Sequence, residues 1–126
     1  VSIFAARSPP VFDPLRAASE AGVAIEFADL GDWGGRLVSE YDPRARAIRI
    51  NERALDAYRR TRSVRDVRSL IALAVAHELY HHREAVAGVR RRTTRVQREA
   101  AADAYARACV AVDARLAAFL EPAAAS

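Results

Sequence analysis

The stretch Ala76-His77-Glu78-Leu79-Tyr80-His81 lies near the end of a strongly apolar segment that reads as helix. Residues four apart stand one above the other on a helix, so the imidazoles of His77 and His81 share a face and can reach one metal ion. Glu78 is rotated from His77 by one helical step of roughly 100°, which suits a carboxylate that activates metal-bound water without ligating the metal. The order H-E-x-x-H is thus a zinc hydrolase arrangement. The plainer alternative is a helix end that happens to carry two histidines, one of them capping carbonyls.

Working outward from the motif, Leu70 to Leu79 is apolar on nearly every side, and a helix without a polar face is buried all round. The helix predicted here is therefore central. It starts at Ser63-Val64-Arg65-Asp66, which resembles a capping box with Asp in place of the usual Glu or Gln, and it continues through the motif to Gly88. A merely structural core helix does not explain the abrupt change to His, Glu, His and His in its C-terminal half.

Catalytic zinc usually takes three protein ligands and leaves one position for water, so a carboxylate is needed from elsewhere. After Gly88 comes a basic connector to Arg92. Thr94-Arg95-Val96-Gln97 then forms a second capping box, and an alanine-rich helix is predicted to run to about Leu120, stopped by Pro122. Glu99 falls in the first turns of that helix and Asp103 one turn later on the same face. The separation of Glu99 from His81, 99 − 81 = 18 residues, is enough to leave one helix, turn and return antiparallel. Alanines at 100, 101, 102, 104 and 106 predict close packing against a neighbour, with the acids facing inward.

H-E-x-x-H followed by E-x-x-x-D resembles the thermolysin-like metallopeptidases. In that class the glutamate completes the zinc shell and the aspartate holds the non-ligating nitrogen of the first histidine. The resemblance implies Glu99 as third ligand beside His77 and His81, and Asp103 as the group orienting His77.

A closer likeness covers about residues 36 to 107. Tyr41-Asp42-Pro43, Ile48-Arg49-Ile50-Asn51, Ala74-Val75-Ala76-His77-Glu78-Leu79-Tyr80-His81 and Glu99-Ala100-Ala101-Ala102-Asp103-Ala104-Tyr105-Ala106 together resemble the ImmA/IrrE-type metallopeptidase family. This implies an intracellular zinc peptidase that cuts a repressor in phage, mobile-element or stress regulation, with Glu78 as the catalytic base. The departures lie outside the metal set. Tyr80 stands where glycine is common, Tyr105 replaces phenylalanine, and Ala108-Cys109-Val110 takes the place of an L-L-M-P-like continuation.

The N-terminal half reads as support for this site. Residues 1 to 12, with Ser8-Pro9-Pro10, are an irregular lead-in; Asp13-Pro14 starts a short helix to about residue 21, and Gly22 stops it. Val23, Ile25 and Phe27 alternate as in a strand. Asp29 to Gly35 is a loop, and Arg36 to Tyr41 and Arg46 to Ile50 are strands joined by a turn at Asp42-Pro43-Arg44-Ala45. Asn51 caps a helix to about Arg60. The expected fold is α+β: one minimal zincin-like domain over 1–126. A small, mainly antiparallel three-stranded sheet packs on the H-E-x-x-H helix and a long C-terminal helix, and 121–126 form a loose tail. Strand Arg46 to Ile50 is expected to pair with an extended substrate.

At 126 residues the chain suits one domain. Its net charge of +4 comes from arginine alone, since there is no lysine, and abundant Arg and Ala suggest a GC-rich coding sequence. Direct nucleic-acid binding is therefore not read from charge, and no reading helix is recognised. Arg90, Arg91, Arg92, Arg95 and Arg98 are read first as a solvated face. With Cys109 as the single cysteine, an intramolecular disulfide is impossible. The longest apolar run, Leu70 to Ala76, is too short for a membrane span, and no signal peptide is read in Val1-Ser2-Ile3-Phe4. A cytoplasmic setting is expected, with Zn2+ as cofactor and a protein or peptide as substrate. The alternative function is a catalytically silent metal-binding interaction or regulatory module.

Overall fold

The computed structural model describes residues 13–34, 36–88 and 94–110. Helix α1 is Pro14–Glu20; strands β1, β2 and β3 are Ala24–Ala28, Ser39–Asp42 and Ala47–Asn51; helices α2, α3 and α4 are Glu52–Thr61, Val64–Ala87 and Arg95–Cys109. The chain is α+β. The expected lead-in, the basic connector after Gly88, residues 111–120 of the expected last helix and the tail lie wholly or largely outside the described residues.

Several boundaries follow from local chemistry. The Asp13 carboxylate accepts from the Leu15 and Arg16 amides, with Pro14 at the first helical position. Ser63 Oγ accepts from the Asp66 amide, so half of that capping box forms. At Thr94 both halves form, with Gln97 reaching back to the Thr94 amide. Gly88 closes α3 in the left-handed conformation, φ 74°, which costs a residue without Cβ nothing.

Two helix expectations need correction. Asn51 occupies the N-cap position of α2, but its side chain makes no cap hydrogen bond. Instead its buried amide accepts from the Leu30 N–H and donates to the Gly31 carbonyl, pinning the start of the 29–36 loop to the end of β3. The last helix ends at Cys109 rather than running unbroken to Leu120. β-branched Val110 is extended at φ −128°, ψ 129°, and its amide closes on the Ala106 carbonyl.

The sheet is mixed, in the order β1-β3-β2, not mainly antiparallel. β2 and β3 form the expected antiparallel hairpin, Tyr41 opposite Ile48, while β1 lies parallel to β3, Ile25 opposite Ile48. Burial explains the order. β3 carries Ala47, Ile48, Ile50 and Asn51, all buried, whereas β1 and the polar Ser-Glu-Tyr-Asp of β2 tolerate edges. Arg49 projects among Glu26, Glu40 and Asp42 at 3.2–3.6 Å, tying all three strands together. Because β3 is flanked on both sides, it cannot accept a further strand. Among the described residues the open edge beside the motif helix is β2.

Helix α3 is central, as expected. Leu70, Ala74, Val75 and Leu79 join Ile48, Ile50, Leu55, Tyr58 and Val23 in the main core, and a second patch sets Leu73 and Ala76 against Ala106 of α4. Ile48 is fully buried. Ile48→Ala should cost about 2–5 kcal/mol, measured as a lower urea midpoint at unchanged slope. Among the described residues no helix is long and apolar enough to cross a membrane.

Candidate metal centre

Helix α4 returns along α3, placing Glu99 beside His77 and His81, and Ala106 beside Leu73 and Ala76. On α3 the four-residue spacing brings the His77 and His81 Nε2 atoms to 3.2 Å. From the facing helix the Glu99 Oε2 lies 2.9 Å from His77 Nε2, and Oε1 lies 3.1 Å from His81 Nε2. Ligand bonds of about 2.0–2.1 Å to a tetrahedral ion set donor atoms roughly 3.3–3.4 Å apart. These three side chains are close to that spacing.

The remaining ring nitrogens are also held. His77 Nδ1 is 2.8 Å from Asp103 Oδ1, and His81 Nδ1 is 3.0 Å from Glu84 Oε1. A carboxylate at each Nδ1 favours the proton there, so Nε2 is the nitrogen left to give up its proton to a cation at the shared point. The arrangement expected of Asp103 is present. Glu84 was missed from the sequence, although its three-residue spacing from His81 was available as a signal. Removing either partner should lower divalent-metal affinity about 10–100-fold; titrating Asp103→Ala and Glu84→Ala against a competing chelator measures this.

Glu78 takes a different position. Its side chain is 6% exposed against 47% for Glu99, and its Oε2 stands 3.9 Å from His77 Nε2. The donor atoms of His77, Glu78 and His81 do fall within 4.8 Å of one another. Glu99 nevertheless lies closer to the pair, its two oxygens approaching both imidazoles at 2.9 and 3.1 Å while Glu78 approaches His77 at 3.9 Å. The carboxylate of Glu78 accepts a 2.7 Å hydrogen bond from Ser39 Oγ on β2.

The electrostatics favour a cation. Burial alone would push the His77 imidazole down, but Asp103 and Glu99, with Glu78 behind them, raise it to about 10. His81 is also raised, its burial outweighed by Glu99, Glu78 and Glu84. Glu99 is held well below the usual carboxylate range by His77 and His81. Burial pushes Glu78 upward. Four carboxylates around two imidazoles, with three donors converging, form a set that a divalent cation would neutralise and coordinate. The residues present fit such an ion.

The other aromatic and histidine candidates fall outside this set. His82 is buried and turned to β2, where its Nδ1 lies 2.6 Å from the Tyr41 hydroxyl. Tyr80 packs against Tyr105 with ring centroids 5.5 Å apart, and Arg83 donates to the Tyr105 hydroxyl. A separate cavity of about 310 Å³ is lined by Trp33, Arg36, Arg53, Asn51 and Ala54, with none of the motif residues in its wall. No protein-family model, curated protein or solved structure matches the chain.

Proposed function

We propose that the chain is a zinc-dependent endopeptidase acting on an extended segment of a protein substrate, in a zincin-like domain. The observation that carries this reading is the convergence of His77 Nε2, His81 Nε2 and the Glu99 carboxylate at 2.9–3.2 Å, with a second, buried carboxylate, Glu78, just outside the set. His77, His81 and Glu99 would hold the ion, and two imidazoles with one carboxylate are a donor set suited to zinc. Zinc bound there supplies Lewis acidity and makes water a nucleophile near neutral pH.

The chain's own residues supply the rest. Glu78, whose carboxyl burial raises, is placed to take a proton from the attacking water and pass it to the leaving amine. Asp103 and Glu84 hold the two imidazoles in one tautomer. β2 is the edge strand that touches Glu78, so an extended peptide adding to its outer side would pass the base. The likeness to the ImmA/IrrE-type family supports a repressor as substrate and a cytoplasmic setting.

The test begins with elemental analysis of protein purified without chelators or a His-tag. The metal-replete protein is then incubated with unfolded proteins and with repressors encoded beside its gene, and new termini are read by mass spectrometry. One zinc per chain and cleavage that disappears in Glu78→Gln support the peptidase. Bound zinc with no cleavage, and no phenotype for Glu78→Gln, would assign the chain to the silent metal-binding module instead.

A further inference from the structure

We propose that Ser39 on edge strand β2 is a positioning residue that keeps Glu78 out of the metal's ligand set and holds it as the base. This rests on reading His77, His81 and Glu99 as the ligands. Two carboxylates compete for one cation here. Glu99 approaches both imidazoles, but the Glu78 Oε2 is only 3.9 Å from His77 Nε2 and is far more buried. A desolvated anion gains more than an exposed one by joining a cation. The offset of Glu78 by one residue along α3 is an incomplete barrier, since three side-chain torsions separate its carboxylate from the backbone.

Ser39 supplies what the helix lacks. Its hydroxyl donates to the Glu78 Oε2 at 2.7 Å, the length of a charge-assisted O–H···O⁻ bond, and this is the same oxygen that faces His77. The donor is itself fixed. Ser39 is paired with Ile50 in the β2–β3 ladder, and two residues on, Tyr41 is bound to His82 one turn further along α3. The strand is thus held to β3 at Ser39 itself and to the helix two residues further on, and this keeps the hydroxyl from following Glu78 toward the ion. Freed of that bond, Glu78 becomes a replacement ligand, and its proton-transfer role is lost.

The probes are zinc alone, titrated against a competing chelator, and cobalt(II), whose visible absorption reports its ligands, on the full chain. Glu99→Ala is expected to weaken zinc at least about 100-fold. In Ser39→Ala/Glu99→Ala, Glu78 enters the set and roughly 10-fold of that loss returns, with an altered cobalt spectrum. Ser39→Thr/Glu99→Ala keeps the hydroxyl and behaves as Glu99→Ala, whereas a merely structural tie between β2 and α3 predicts no regained zinc affinity in the double alanine variant. Adding Glu78→Gln to the double alanine variant removes the regained affinity. If wild type binds one equivalent while the double alanine variant binds no better than Glu99→Ala, the Ser39 inference is overturned and the ligand set stands. If wild type binds no zinc, or Glu99→Ala binds as tightly as wild type, the ligand set itself is wrong, and the inference falls with it.

Discussion

Glu99→Ala is expected to abolish stoichiometric zinc binding while leaving the fold in place. Among the described residues Glu99 is the one carboxylate whose two oxygens meet both Nε2 atoms, at 2.9 and 3.1 Å, and it sits on a different helix from the histidines. Without it the ion is left with two imidazoles, one short of the three protein ligands common to catalytic zinc sites, and affinity should drop at least about 100-fold. Folding should survive because the side chain is nearly half exposed, and α4 stays docked through Ala106 against Leu73 and Ala76. The measurement is zinc per chain after dialysis, with far-ultraviolet circular dichroism as the control. A full equivalent retained at wild-type affinity would remove Glu99 from the site.

Glu78→Gln should separate chemistry from metal binding. The amide has the shape of the carboxylate and still accepts the Ser39 hydroxyl, but it cannot take a proton from water. Hydrolysis of whichever protein is cleaved should fall by about 10²–10⁴-fold, with zinc affinity within a few-fold of wild type. A neutral group also relieves the cost of holding a charge in a nearly closed site, so the melting temperature should stay level or rise. Loss of zinc in this variant would make Glu78 a ligand rather than the base; cleavage at the wild-type rate would remove it from the mechanism.

What could be read from the sequence was what depends on neighbours along the chain. The caps at Asp13, Ser63 and Thr94, the stop at Gly88 and the stacking of His77 on His81 all follow from spacings of a few residues, and each is present. That Glu99 and Asp103 would come to lie beside the motif was legible for a related reason, since two helices with a short connector have few ways to return; their roles were implied only by the resemblance. The arrangement of the strands was not, because strand order is decided by which strand the core buries on both sides. The alternation in β1 and in the hairpin was visible, but nothing local states that β3 lies between them. Ser39 gave no signal at all. Its meaning depends on Glu78, 39 residues away, and a serine in a polar edge strand looks like any other. Asn51 misled for the opposite reason, since its position is that of a helix cap while its side chain is used by a loop 20 residues earlier.

The two ties between β2 and α3 have a consequence for the hairpin as a moving part. Two residues of strand advance about 6.6 Å and four of helix about 6.0 Å, so Ser39 with Glu78 and Tyr41 with His82 can both close at once. Sliding the hairpin by one pleat would bring Leu37 or the Tyr41 ring against a buried carboxylate in place of a hydroxyl donor that fits it. Either misalignment strands a charge, whereas the apolar contacts beneath would tolerate a shift far better. The hydroxyl pairs therefore act as a vernier, fixing one reading of strand against helix where greasy packing alone would accept several.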